Sequence, residues 1–95
     1  MRLRVMHEMG FVHNDLKLEN MVVGHQDSNR LYLIDFGLTS RYRDEVTGEL
    51  LPKINLSKFT GNFMFASMNQ CRGNTTSRRD DIEAAIHILV YLISN

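Results

Sequence analysis

Between Ile82 and Ile93 every side chain except Glu83 and His87 is apolar, and no single helical face gathers that polar pair. A helix that is apolar nearly all the way round needs partners on all sides, so this run belongs in the middle of a larger core. It is too short and too interrupted to span a bilayer. Asp80 and Asp81 stand at its start, where unpaired N–H groups and the positive end of the helix dipole favour carboxylates. A helix is therefore expected over residues 81–95, with more apolar surface than a short chain can cover. The chain's 95 residues leave room for one small domain or for part of a larger one.

Upstream of that helix the elements are short. Leu3, Met6 and Met9 recur at helical spacing and Gly10 follows as a stop, which predicts a helix over residues 1–9. Phe11-Val12 is a brief extended run. Met21-Val22-Val23-Gly24 and Leu31-Tyr32-Leu33-Ile34 flank a polar run from His25 to Arg30 that contains Asp27-Ser28-Asn29. Two apolar runs about such turn-forming residues predict a hairpin. Folding it at mid-turn brings residue 20 beside residue 35, so the Asn20 amide and the Asp35 carboxylate meet at its open end. Asp15 and Lys17 lie on the loop just before it. Mg²⁺ takes one or two carboxylates plus phosphate oxygens rather than a full protein cage. A nearby lysine supplies positive charge for a phosphoryl group, and a further carboxylate can accept a hydroxyl proton. This is equipment for phosphoryl transfer.

Composition excludes other classes. Eleven basic and eleven acidic side chains cancel, so nothing argues for a nucleic-acid or anionic-membrane partner. Met1-Arg2-Leu3-Arg4 is followed by Met6-His7-Glu8 rather than an apolar run, which is no signal peptide. The lone Cys71 has no partner for an internal disulfide, and packing is its default role. His7, His13, His25 and His87 are scattered without a cysteine pair, so zinc-type spacing is absent. Residues 38–59 are mostly polar and broken by Thr47-Gly48 and Pro52. A connection this long without periodicity is either a solvated mobile loop or a functional one.

His13-Asn14-Asp15-Leu16-Lys17-Leu18-Glu19-Asn20, followed across the hairpin by Asp35-Phe36-Gly37, resembles the catalytic loop and the Mg-binding loop of protein kinases. Finer features are similar to the casein kinase 1 family. They are Asp35-Phe36-Gly37-Leu38 with Tyr42-Arg43-Asp44, then Phe65-Ala66-Ser67-Met68-Asn69 where most kinases carry Ala-Pro-Glu, then Ser77-Arg78-Arg79-Asp80-Asp81-Ile82-Glu83. The likeness runs from about residue 4 to residue 95.

The resemblance implies an α+β, mainly helical fold: part of the large C-terminal lobe of a kinase, with the hairpin carrying the Mg-binding residues. It divides the chain into a catalytic loop (13–20), a Mg loop (35–37), an activation segment (38–69) and a central helix (81–95). The implied activity is transfer of a phosphoryl group from ATP to Ser/Thr hydroxyls of protein substrates. Asp15 and Lys17 are the implied catalytic residues, with Lys17, Asn20 and Asp35 meeting the Mg-ATP phosphates and Asn20 and Asp35 holding Mg²⁺. His13 would be a buried support, and Asp81 would brace the catalytic loop backbone, although a plain helix cap accounts equally for Asp81. An intracellular setting, cytoplasmic or nuclear, follows from the same likeness. Four positions depart from the pattern: Asn14 and Met64 replace arginines, Leu18 a proline and Asn62 a threonine. A Gly-rich loop, the N-lobe lysine and its glutamate have no room before the catalytic loop, and the distal C-lobe helices are missing. The expectation is a fragment of a casein kinase 1-like domain, inactive in isolation; a non-catalytic, pseudokinase-type binding protein is the alternative.

Overall fold

A computed structural model describes residues 2–27 and 29–94. In chain order these form α1 (Arg2–Glu8), β1 (Phe11–Val12), a 3-10 turn (Leu18–Asn20), β2 (Met21–Val23), β3 (Leu31–Leu33), β4 (Ser40–Arg41), α2 (Met68–Cys71) and α3 (Arg78–Ser94). The strands make two antiparallel pairs, β1 with β4 and β2 with β3. None of the described helices is long and apolar enough to cross a membrane.

The expected first helix is present, with Met1 outside the described residues. It stops where Gly10 turns to φ 96°, a left-handed conformation that costs glycine little. Leu3 from α1, Leu16, Phe65, and Ala84 and Ile88 from α3 make the buried apolar cluster, with Met21, Leu33 and Ala85 packed against it. The first helix, the loop after β1 and the hairpin are thus all seated on α3.

Three expectations need correction. First, α3 begins at Arg78 rather than Asp81. The Asp80 carboxylate reaches back to accept from the Ser77 N–H at 2.8 Å, half of a capping box, which starts the helix a turn early. Asn95, the last residue of the expected range, lies outside the described residues.

Second, the hairpin pairs Met21 with Leu33 and Val23 with Leu31. Gly24 N–H donates to the Arg30 carbonyl at 2.8 Å and Arg30 N–H to the Asp27 carbonyl at 3.1 Å. The turn is therefore centred half a residue earlier than mid-turn folding assumes. Asn20 faces Ile34, whose N–H donates to the Asn20 carbonyl at 3.0 Å, and Asp35 follows one residue on. Ser28, one of the three turn residues, lies outside the described residues.

Third, residues 38–59 are not without regular structure. Ser40 pairs with Val12 and Arg41 with Phe11. Arg43 bridges Leu50 around a turn, and Asn55 bridges Asn74 near α2. α2 itself had no clear sequence signal; its N-cap is Ser67, whose Oγ accepts from Gln70 N–H at 3.0 Å.

Candidate active site

The loop between β1 and the 3-10 turn is held from behind by one carboxylate. Asp81, buried near the start of α3, accepts from His13 N–H at 2.7 Å and Asn14 N–H at 3.0 Å. Its Oδ2 also meets His7 Nε2 at 2.8 Å. Buried N–H groups that lack a partner are expensive, and here a distant side chain supplies both acceptors. Asp81 is therefore a brace and not a plain cap. His13 is fully buried. Its Nε2 donates to the Ile34 carbonyl at 3.1 Å and its Nδ1 accepts from Asp15 N–H at 3.2 Å, which fixes one tautomer. The histidine thus ties the loop to the end of β3, just before Asp35.

Asp15 is buried. Asn62 Nδ2 donates to its Oδ1 at 3.1 Å, and the same nitrogen lies 3.1 Å from the Leu16 carbonyl. Asn62 Oδ1 accepts in turn from Phe65 N–H at 2.8 Å, which orients the amide. Lys17 Nζ stands 4.0 Å from Asp15 Oδ2. Asn20 Nδ2 donates to the Asp15 carbonyl at 2.9 Å, leaving its Oδ1 with no protein donor among the described residues. Asp15, Lys17 and Asn20 therefore converge as the spacing requires.

Asp35 stands one step away. It is exposed, has φ 59°, and accepts from Gly37 N–H at 3.3 Å. No hydrogen bond or ion pair joins it to Asn20 among the described residues. Phe36 is exposed and meets the His13 ring edge-on, with centroids 5.6 Å apart.

Two further participants were not recognisable as such from local pattern. Gln70 Nε2 donates to the Asn14 carbonyl at 2.7 Å and to the Thr60 carbonyl at 2.9 Å. Asp80 accepts from Ser67 Oγ at 2.6 Å and Asn69 Nδ2 at 3.3 Å. The Gln70–Asn14 contact spans 56 residues, and no periodicity or spacing rule encodes it.

A buried carboxylate oriented by an amide, a lysine at its side and a free amide oxygen behind it can accept a hydroxyl proton beside a site for phosphate. The family model described as a protein kinase domain matches residues 2–95. The chain belongs to the protein kinase family.

Proposed function

We propose that this chain supplies the catalytic middle of a casein kinase 1-like Ser/Thr protein kinase, with the catalytic loop at 13–20, the Mg loop at 35–37, the activation segment at 38–69 and the central helix from α3. In this reading the substrate hydroxyl oxygen attacks the γ-phosphorus of ATP and the bond to the bridging oxygen breaks. The hydroxyl proton passes to Asp15, and ADP leaves. Asn62 holds the Asp15 carboxylate toward the incoming hydroxyl, and Lys17 lies beside it to offset charge on the transferring phosphoryl oxygens.

The observation that carries the reading is the Asp15 carboxylate, clasped by Asn62 at 3.1 Å and flanked by Lys17 at 4.0 Å. The donor set also fits Mg²⁺. Asn20 directs its nitrogen at the Asp15 carbonyl, so its oxygen is left for a hard cation, and the Asp35 carboxylate is exposed. When bound there, Mg²⁺ would neutralise charge on the ATP phosphates.

The casein kinase 1-like reading draws support from Asp80. Phe65-Ala66-Ser67-Met68-Asn69 and Ser77-Arg78-Arg79-Asp80-Asp81 carry that likeness, and they are linked by Ser67, Asn69 and Asp80. The test is turnover and nucleotide affinity measured together in a kinase domain carrying these residues. Asp15→Asn is expected to cut turnover by about 10²–10⁴ with ATP affinity little changed. Asp35→Asn is expected to cut turnover and to weaken Mg-ATP binding as well, because it removes charge at the metal. Wild-type turnover in Asp15→Asn would remove the general-base assignment.

A further inference from the structure

Asn14 takes no part in the chemistry proposed above, yet all its polar atoms are engaged. Its N–H donates to Asp81 Oδ1 at 3.0 Å, and its carbonyl accepts from Gln70 Nε2 at 2.7 Å. Its side-chain nitrogen donates to the Leu38 carbonyl and to Ser40 Oγ, both at 2.8 Å. Its Oδ1 accepts from the Thr76 hydroxyl. One residue thus gathers α3, α2, the stretch just after Asp35-Phe36-Gly37, and the loop that leads into α3. Asn14 also has φ 72°, a left-handed conformation that asparagine adopts more readily than most side chains.

We propose that Asn14 is a positioning residue, a neutral hydrogen-bond clamp that fixes the Asp15 loop against the start of the activation segment without a phosphate. The inference rests on the phosphoryl-transfer reading for what Asp15 does, but the clamp has its own observations. An amide both donates and accepts, so Leu38, Ser40 and Thr76 engage its nitrogen and its oxygen alike. An arginine at this position would have donors only and no acceptor for Thr76. A cation there calls for an anion to complete it, whereas the amide is completed by its own chain. Because the clamp carries no net charge, salt does not screen it.

The experiment uses a kinase domain carrying this chain and compares Asn14→Asp, Asn14→Gly, Ser40→Ala and Thr76→Val. Asn14→Asp keeps the shape and the acceptor for Thr76 but removes both side-chain donors. Asn14→Gly keeps the left-handed backbone and removes the amide. Amide hydrogen exchange at residues 39–41 reads the clamp, and steady-state kinetics read its consequence.

In both Asn14 variants exchange at 39–41 is expected to rise, and kcat to fall about tenfold, as suits the loss of two side-chain hydrogen bonds in Asn14→Asp and three in Asn14→Gly. KM for ATP is expected to stay within about twofold, a split that general loss of structure would not produce. Ser40→Ala and Thr76→Val are expected to move both readouts the same way by less, and they decide the question if an Asn14 variant fails to fold. Phosphatase treatment is expected to leave wild-type kcat unchanged. Wild-type exchange and kcat in Asn14→Asp and Asn14→Gly would overturn the clamp, and so would loss of activity on phosphatase treatment. If the wild-type domain transfers no phosphoryl group, the function reading falls while the exchange measurement still decides the clamp.

Discussion

Asp81 joins α3 to two consecutive backbone N–H groups, and its replacement has a definite cost. Asp81→Ala leaves the His13 and Asn14 N–H groups and the His7 ring without their acceptor. A loss of about 2–4 kcal/mol is expected in chemical denaturation of a kinase domain carrying the chain, since each buried orphan costs roughly 1–3 kcal/mol. At the same scale, Asn14 and Met64 stand where the resemblance implies arginines, and neither side chain offers phosphate a charged partner. Met64 is exposed and offers an approaching phosphate no N–H donor from its side chain. Peptides with and without an upstream phosphoserine should therefore differ in kcat/KM by less than about threefold, well under the factor of ten that a 1.4 kcal/mol contact would give. A strong preference for the phosphopeptide would point to other basic residues, with Lys58 and Arg78 the first to substitute. That Asp15, Lys17 and Asn20 would come together was legible from their spacing on one loop, whereas Asp35, expected to meet Asn20, is exposed and accepts from Gly37 N–H instead. The contact of Asn62 with Asp15 was not legible, since only the chain path brings residues 47 apart together.

Among the elements, the turn after β4 shows what the sequence conceals. Its polar composition and Thr47-Gly48 read as a break in regular structure, yet Asp44 organises it. Asp44 Oδ1 accepts from Val46 N–H and Thr47 N–H, both at 2.8 Å, and Gly48 N–H donates to the Asp44 carbonyl at 2.9 Å. The Thr47 N–H, and then that of Val46, hold the carboxyl below its ordinary value of 3.8. A group depressed on folding stabilises above its unfolded value and loses that contribution as pH falls through the folded one. The turn should thus be intact above about pH 4 and loosen below 3.8, read as faster exchange at Val46 and Thr47 and as a carboxyl titration with its midpoint under 3.8. Asp44→Asn should flatten that pH dependence. The hairpin, by contrast, was legible because its apolar runs and turn residues are local. Its register was misjudged by one residue because the closing bonds of Gly24 and Arg30 are not visible in composition.

For the whole molecule, the exposed apolar surface of α3 is what a helix belonging to a larger core leaves uncovered. The sequence demands partners on all sides, but the helix buries only Ala84 and Ile88 among its apolar residues. Ile82, Ile86, Leu89, Val90, Leu92 and Ile93 are exposed. Burying one such side chain is worth roughly 1.5–3 kcal/mol, against a usual domain margin of ~5–15 kcal/mol. Two-stranded ribbons add little by themselves. The isolated 95-residue chain is expected to associate on size exclusion, melt without a sharp transition, bind an apolar dye and show no measurable ATP affinity. A monomer with a cooperative melt and micromolar ATP binding would contradict this. The Asp81 brace has a consequence in time as well as in space. Its partners His7, His13 and Asn14 lie 74, 68 and 67 residues earlier in the chain. Contacts of such separation pay their loop-closure entropy late. As the chain leaves a ribosome, the loop around His13 and Asn14 is therefore made early and waits, unbraced, until residue 81 has emerged. Nascent chains halted before that residue should show His13 and Asn14 amides open to exchange, and chains halted well beyond it should not.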